Sequence, residues 1–211
     1  MSPEPVTAER VYARLKADIM RGRFPPRTTL VTQMIADDYG TSISPVRDSL
    51  QRLIGERLLA AHAGGGFEVP DMPEAALYDL YSWHGELLAI ACRRPDRTES
   101  IRESPPGGAV PRPDTIADRA ASLFDDIATC SSNGELRATV HGTGDRLHLV
   151  RLCEPLVMPG VAEELETIES RFRSGPVSDM RNAIKAYHRR RLRRVGQLHA
   201  MLHNPERLRS L

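Results

Sequence analysis

The sequence has 211 residues, of which 40% are hydrophobic and 27% are charged. These proportions are ordinary for a soluble globular protein and exclude collagen-like and disulfide-rich chains. The longest apolar run, at 87–92, is far too short to span a bilayer. The N-terminal segment lacks the basic and apolar regions of a secretory signal. We therefore expect a cytoplasmic protein with no membrane partner.

Positive charge is unevenly distributed, although the formal net charge is only +1. Residues 171–211 contain eleven Lys or Arg and two Asp or Glu. Residues 1–70 contain nine Lys or Arg and eight Asp or Glu. The basic run 188–194 could touch nucleic acid or an acidic membrane. Such a run is more often a solvated helix face, or it pairs with nearby acids, here Glu163, Glu164 and Glu166.

The sequence contains no motif that predicts catalysis or a cofactor. Cys92, Cys130 and Cys153 are widely spaced and form no CxxC pair, so neither a zinc ribbon nor a redox dithiol is indicated. A Walker loop, a dinucleotide fingerprint, Gly-x-Ser-x-Gly and HExxH are all missing from the sequence. We expect neither an enzyme nor a bound cofactor.

Three helices are predicted near the N-terminus. Val11, Leu15 and Ile19 form an apolar stripe over residues 6–22, which a connector at 23–29 follows. Residues 31–39 form a second helix, with Gly40 as a left-handed C-cap. Its apolar face is predicted to contain Val31, Met34, Ile35 and Tyr39.

The third helix is expected to begin at Ser44 as N-cap and Pro45 as first helical residue, and to run to about Gly55. Its inward residues are then Val46, Leu50, Leu53 and Ile54. Beyond it, residues 58–62 and 67–69 have strand character, and the glycine-rich segment 63–66 predicts a hairpin turn between them.

Two short helices, a tight turn and a hairpin predict a winged helix-turn-helix. A helix fits the major groove of B-DNA, where its first turn reaches base edges. The preceding helix braces the backbone, and the hairpin lies beside the neighbouring minor groove. A turn containing Gly64, Gly65 and Gly66 would let this wing approach the sugar-phosphate chain closely. Double-stranded DNA is the expected partner.

Residues 6–70 resemble the GntR family of regulators through many positions at fixed spacing: Gly22-Arg23-Phe24-Pro25-Pro26, Leu30, Ile35-Ala36, Gly40, Ser42, 44–50, Leu53 and Leu58. The resemblance implies that Arg47 enters the major groove and pairs with guanine. It implies a phosphate contact for Ser42, a backbone contact for Gln33 and the wing tip for Gly64; Ser44, Thr32, Ile43 and Gly65 are further candidates for DNA contact. Ile43 stands where the family usually has an arginine, which removes a charge, so we expect either weaker, less salt-dependent binding or an apolar contact with a thymine methyl.

From residue 74 onward the pattern is helical throughout. A linker at 71–73 precedes helices predicted at 74–93, 115–130, 134–157, 160–173 and 177–202. Gly142 and Gly144 are possible bending points of the third of these helices. Residues 95–114 contain five prolines and form a long loop. The fold class is mostly α: a winged helix-turn-helix at 1–70, then an all-helical bundle at 74–211.

This helical part resembles the ligand-sensing domain of FadR-type (FCD-like) regulators. Many such domains bind a metal through an Asp-x-x-x-His pair and two later histidines. Here Ala121, Asp125, Glu166 and His188 fall at or near those positions, so only one histidine remains and we expect no such metal.

Polar groups on apolar stripes suggest a different pocket. Arg191 falls on the apolar stripe of the last predicted helix, and His188 lies beside that stripe. The stripe consists of Val177, Met180, Ile184, Tyr187, Val195, Leu198 and Leu202. On the first helix of this part, His84 falls among leucines. Buried polar groups are costly unless paired, so these residues could line a cavity for an anionic effector. They could equally be a core histidine with its hydrogen bonds satisfied and an arginine whose stem is buried while its charged end reaches solvent. Arg146, His148 and Arg151 are further candidates.

We therefore expect a homodimeric DNA-binding transcriptional regulator, of the repressor type usual in the family, that responds to a small anionic effector. The alternative is an effector-independent DNA-binding or architectural protein with a degenerate ligand domain.

Overall fold

The computed structural model describes residues 8–93 and 115–204, and these form two compact units that meet in sequence between Met72 and Pro73. The fold is mostly α-helical, with one small antiparallel sheet in the first unit and a helical bundle as the second. This confirms the predicted fold class. The predicted loop at 95–114 lies outside the described residues. No helix in the described ranges is long and apolar enough to cross a membrane.

The first unit contains three helices and three short strands: α1 (Ala8–Met20), β1 (Thr29–Leu30), α2 (Thr32–Tyr39), α3 (Ile43–Gly55), β2 (Ala60–Ala61) and β3 (Phe67–Glu68). Its core forms where the α1 stripe of Val11 and Leu15 meets Val46, Leu50 and Leu53 of α3, all at most 1% exposed. Burying one face of α3 so completely leaves its opposite face to solvent.

The buried face of α2 differs from the prediction. Ile35 and Tyr39 are buried, but Val31 is 51% and Met34 68% exposed, so the assignment of those two residues to the apolar face was wrong. Val31 precedes the helix, and the buried face continues through Ala36, which turns Met34 outward. Gly40 ends α2 with φ 63°, which confirms the left-handed cap.

The start of α3 also differs. The helix begins at Ile43 with Ser42 in the N-cap position, so the assignment of Ser44 as N-cap was wrong. Pro45 is consequently the third residue of the helix. A proline is tolerated there because the first-turn N–H groups have no partner within the helix. The shift places Ser44 within the first turn, on the helix itself.

The sheet has the order β1-β3-β2, with Leu30 opposite Phe67 and Ala60 opposite Glu68. The predicted hairpin is β2 and β3, although both strands are shorter than expected. Strand β1 consists of the last residue of the predicted connector at 23–29 and the residue that follows it. Two residues are too few to show an alternation of polar and apolar side chains, so the sequence could not predict this strand.

The second unit consists, in its described part, of the helices α4 (Glu74–Ala91), α5 (Ile116–Thr129), α6 (Gly134–Val157), α7 (Val161–Ser174), α8 (Val177–Leu192) and α9 (Val195–Leu202). The bounds agree with prediction within two residues except at the end. The single helix expected at 177–202 is broken between Leu192 and Val195. Buried positions continue across the break with an unchanged period, so hydrophobicity alone could not reveal it.

The bundle core is formed by side chains from five helices. Leu88 of α4, Phe124 of α5, Val140 of α6, Leu165 of α7 and Ile184 of α8 are each at most 2% exposed. Helix α6 runs unbroken through Gly142 and Gly144. On α8, Met180, Ile184 and Tyr187 are buried as predicted, but Val177 is 39% exposed because it is the first residue of the helix.

Candidate nucleic-acid interface and buried charge cluster

The outward face of α3 carries the residues predicted to read DNA. Ser44 and Arg47 are exposed, and Ile43 is 41% exposed. Ile43 and Arg47 are four residues apart and therefore lie on one face of the first turns. Asp48 and Gln51 extend that exposed face. The surface so defined, residues Ile43, Ser44, Arg47, Asp48 and Gln51, is called the α3 outer face below.

Ser42 lies beside this face with its hydroxyl available. An N-cap hydroxyl ordinarily accepts a hydrogen bond from the second or third N–H of its helix. Here the third helical residue is Pro45, which has no N–H, and Ser42 makes no side-chain capping bond. The Ser42 hydroxyl is therefore not committed to stabilising the helix.

Arg47 differs from most cations of this unit. Arg23 bonds to Asp18 at 2.6 Å and to Asp38 at 2.9 Å. Lys16 and Arg52 are likewise paired with the acids Glu56 and Glu9. For Arg47, neither a hydrogen bond nor an ion pair forms with any residue that the structure describes, Asp37 and Asp48 included. Its guanidinium thus presents an uncompensated charge on the α3 outer face.

The remaining predicted DNA contacts lie on α2 and on the hairpin turn. Thr32 is the first residue of α2 and is half-buried, and the exposed Gln33 donates to Asp37 Oδ1 at 2.7 Å. In the turn, Gly65 and Gly66 have φ 88° and 95°, which strongly favours glycine. Gly64 and Gly65 are both exposed and donate backbone hydrogen bonds to His62.

The second unit brings three of the predicted effector residues together in its core. His84 Nδ1 lies 2.9 Å from His188 Nε2, and Arg151 Nη2 lies 3.3 Å from His84 Nε2. His188 Nδ1 in turn lies 2.8 Å from the carbonyl oxygen of Ile184. We call this chain the Arg-His-His relay. Arg151 is fully buried, and both histidines are nearly so.

Hydrogen positions in the relay follow from what each group can do. Arginine only donates, so His84 Nε2 accepts and His84 Nδ1 carries the hydrogen. His188 Nε2 accepts that hydrogen bond, and His188 Nδ1–H donates to the Ile184 carbonyl. Both rings are therefore neutral. Burial, together with nearby Arg151, lowers the pKa of His84 well below its ordinary value and that of His188 to about 3.

The charge of Arg151 has little compensation. Its Nε and Nη1 atoms find no hydrogen-bond acceptor among the described residues. Its Cζ lies 5.2 Å from the centroid of the Phe124 ring, which supplies only a weak cation–π attraction. A Cβ built on Gly144 would lie 3.7 Å from Nη1, which is an ordinary van der Waals distance. A buried cation with two unused N–H donors is suited to an anion.

The charge of Arg191, by contrast, is compensated by two acids, although its Nε atom also finds no acceptor among the described residues. Its Nη2 donates to Glu154 Oε2 at 2.7 Å, and its Nη1 donates to Glu164 Oε2 at 2.6 Å. Tyr81 donates to Glu154 Oε1 at 2.8 Å, and the ring of Tyr187 lies beneath the Arg191 guanidinium. Arg191 and Glu154 are each 0% exposed. Arg191 is thus buried and paired with acids, and its charged end does not reach solvent as the alternative interpretation of the sequence had it.

The other predicted effector residues lie elsewhere on α6. His148 is buried, and its Nε2 lies 3.7 Å from Asp118 Oδ1. Arg146 is half-buried. Of the positions aligned with metal ligands, Asp125 pairs with His141 at 2.8 Å and His188 belongs to the relay. Within 8–93 and 115–204, no three His, Cys, Asp or Glu side chains converge as a metal site.

The sequence analysis missed Glu154, the central acceptor of the buried cluster. A signal was present, since Glu154 follows Leu147, Val150 and Arg151 on the inward period of α6. A carboxylate at an apolar position normally has a buried cation as partner. That rule predicts a buried cation beside Glu154, but it does not say whether Arg151 or Arg191 supplies it.

The first unit is therefore a winged helix-turn-helix domain. Its unpaired arginine lies on α3, the helix predicted to enter the major groove, which we call the reading helix. Residues 7–69 match the family model described as bacterial regulatory proteins, gntR family. The match to this family model lies within the first unit.

Curated relatives match part of the chain. The chain is 31% identical over 85 residues to the HTH-type transcriptional repressor GlaR of Escherichia coli, which covers 40% of this chain and 39% of GlaR. It is 32% identical over 79 residues to the E. coli HTH-type transcriptional regulator McbR, over 36% of each chain. The match thus spans well under half the length of these relatives.

Solved structures extend the likeness in fold to nearly the whole chain. E. coli McbR/YncC superposes with a TM-score of 0.63 at 16% identity, covering 90% of this chain and 97% of that one. A Rhodococcus sp. RHA1 protein assigned as a GntR transcriptional regulator gives 0.65 at 16% identity with the same coverage. At such identities, the likeness establishes a shared fold.

The neutral relay predicts a pH-dependent stability. Each histidine has a pKa near 6.5 when unfolded and a lower value when folded, so the unfolded chain binds more protons below pH 6.5. Stability therefore falls as pH decreases from 7 to about 5.5, by about 1 kcal/mol for each relay histidine. Urea unfolding of wild type and His188→Gln at both pH values measures this. A slope equal in the two proteins would contradict a neutral buried His188.

The Glu154 cluster predicts a large effect from loss of one charge. Glu154→Gln leaves Arg191 buried with Glu164 as its remaining acid, which should destabilise the second unit by about 3 kcal/mol. The matched control is Glu166→Gln on the exposed face of α7, for which we expect less than about 0.5 kcal/mol. Chemical denaturation followed by circular dichroism measures both variants. Equal effects would show that Arg191 does not depend on Glu154.

Proposed function

We propose that this protein is a transcriptional regulator that binds operator DNA through the α3 outer face and responds to a small anionic ligand in its helical bundle. The observation that carries the DNA-binding part is the uncompensated, exposed charge of Arg47 on the reading helix. The match of residues 7–69 to the gntR family supports it.

Arg47 is proposed to read a base. Its planar fork matches O6 and N7 of guanine in the major groove, and a bidentate contact of this kind discriminates by about 1–3 kcal/mol. Ile43, one turn earlier on the same face, would meet a thymine methyl group. The exposed apolar side chain of Ile43 supports this assignment, because only the major groove offers it a methyl partner.

Phosphate contacts are proposed for groups around that face. The uncommitted hydroxyl of Ser42, the hydroxyls of Ser44 and Thr32, and the amide of Gln33 can all donate to phosphate oxygens. Gln33 would first have to leave Asp37. The wing would approach the backbone at Gly64 and Gly65. Because most cations of this domain are already paired with acids, we expect few phosphate charges to be neutralised and a shallow salt dependence.

Assembly as a homodimer would let two reading helices contact a two-fold symmetric operator, since one helix reads only a few base pairs. Repression is the proposed outcome, because the related E. coli protein GlaR is named a transcriptional repressor.

The ligand is proposed to bind at Arg151. A fully buried guanidinium with two unused donors, one histidine acceptor and an aromatic neighbour is matched by a small carboxylate. Arg191 offers no comparable site, because Glu154 and Glu164 already accept from it. Since Arg151 is inaccessible in this conformation, the ligand must bind a more open one. That differential affinity would couple ligand binding to the conformation of the bundle.

Arg47→Ala should weaken DNA binding about 10- to 100-fold, because one bidentate base contact is lost. Fluorescence anisotropy on a duplex selected from a random pool, at fixed salt, measures the affinity. The matched control is Arg21→Ala, which removes the same charge from an exposed position at the end of α1. If both variants lose affinity equally, Arg47 supplies charge alone and reads no base.

Arg151→Met should abolish stabilisation by small carboxylates while leaving the fold intact. At ten times its dissociation constant, a ligand stabilises the protein by about 1.4 kcal/mol, which a thermal-shift assay detects. The probes are sodium acetate, pyruvate and succinate, with sodium chloride as the ionic-strength control. If none of them stabilises wild type more than chloride does, the results would instead favour an effector-independent regulator.

A further inference from the structure

A cleft of about 240 Å³ lies between α4 and α8, on the side of the helix pair away from the relay residue His84. Small side chains of α4 at Ser82, Gly85 and Ala89 leave room for it. The opposite wall is basic and is formed by Arg181, Lys185 and Arg189, which lie four residues apart on one face of α8.

The charge of this cleft is strongly positive. Arg93 at the end of α4 adds a fourth cation, whereas Glu86 is the one acid among the residues that line the cleft. His188 forms part of the wall and is neutral for the reasons given above. At neutral pH the lining therefore carries about three net positive charges within a space the size of a small metabolite.

These cations have no partners in the described parts of the chain. The side chains of these four residues, Arg181, Lys185, Arg189 and Arg93, make neither an ion pair nor a hydrogen bond there. The Nε atom of Arg181 is buried without an acceptor. The neighbouring Arg190 behaves differently, since its Nη1 lies 3.1 Å from Glu164 Oε2. Within the basic run 188–194, Arg190 and Arg191 thus pair with acids, whereas Arg189 faces the cleft.

We propose that this cleft binds a small molecule carrying a phosphate group. Several cations converging on one small concave space favour a compact dianion over a monocarboxylate, and guanidinium forks match phosphate oxygens. The concave shape favours a small molecule over a DNA duplex, whose phosphates lie along a convex ridge. The cleft is distinct from the Arg151 site, where one buried cation faces an aromatic ring, and it does not depend on that site.

Close packing at Gly85 supports a formed cleft. A Cβ at this position would lie 3.1 Å from Cγ of His188, so a larger residue would push His188 away from α4. The glycine therefore lets the His188 ring lie directly against α4 as part of the wall.

The test is titration of the full-length protein with inorganic phosphate, pyrophosphate and glycerol phosphate, followed by calorimetry or NMR chemical shifts. Wild type should bind at least one of these at or below millimolar concentration. Lys185→Gln combined with Arg189→Gln should weaken that binding at least about tenfold, since two charge-assisted contacts are lost.

Two further variants assign the site. Arg137→Gln combined with Arg193→Gln removes the same charge from exposed positions that do not line the cleft, and should change the affinity less than about twofold. Arg151→Met should leave phosphate binding unchanged. A loss in Arg151→Met alone would place the phosphate at the buried arginine and overturn the cleft assignment.

The remaining outcomes also decide the matter. If no phosphate compound binds wild type at millimolar concentration, the cleft is a solvated basic surface and the proposal is wrong. If the Lys185 and Arg189 double variant instead loses affinity for all DNA sequences uniformly, and phosphate does not compete, the cations contact the DNA backbone. Arg47→Ala reports separately on operator reading, so failure of either proposal is distinguishable from failure of the other.

Discussion

The burial of one face of α3 determines what the first unit can do. Val46, Leu50 and Leu53 are all fully buried and pack against the apolar stripe of α1. A helix anchored along one side so completely cannot rotate about its axis without exposing several large side chains, each worth about 2 kcal/mol. Core packing therefore directs Ile43 and Arg47 outward. Their own side chains need make no contact to hold that orientation.

The two units manage charge in opposite ways. In the first unit, surface acids neutralise most cations and leave Arg47 unpaired on the reading helix. In the second, Arg191 is buried against Glu154 and Glu164. Arg151 of α6 has only neutral rings, those of His84 and Phe124, as partners among the described residues. Net charge alone could not reveal this, because a paired and an unpaired arginine contribute equally to a sequence total.

Much of the fold could be predicted from the sequence, and the failures have physical causes. Long amphipathic segments such as α6 were placed with correct bounds, because apolar period and caps agree there. Short elements were not: β1 is too brief to show a period, and Ser44 and Ser42 are equally good cap residues by type. For the candidate site, His84 and His188 were named from their positions on or beside apolar stripes, and Arg151 only as a further candidate. Their connection to one another, and the role of Glu154, depend on packing between helices that no single stripe records.

The relay has one further consequence, which concerns the direction of its hydrogen bonds. Because a guanidinium cannot accept, Arg151 fixes the ring nitrogen that carries hydrogen in His84, and through it the one in His188. The Ile184 carbonyl imposes the same polarity from the other end. A side chain on α6 and a backbone group on α8 thus specify the tautomer of both imidazoles. An anion that drew Arg151 away would leave the Ile184 carbonyl to set the tautomer of both rings, while the packing of the His84 ring against Phe124 would remain.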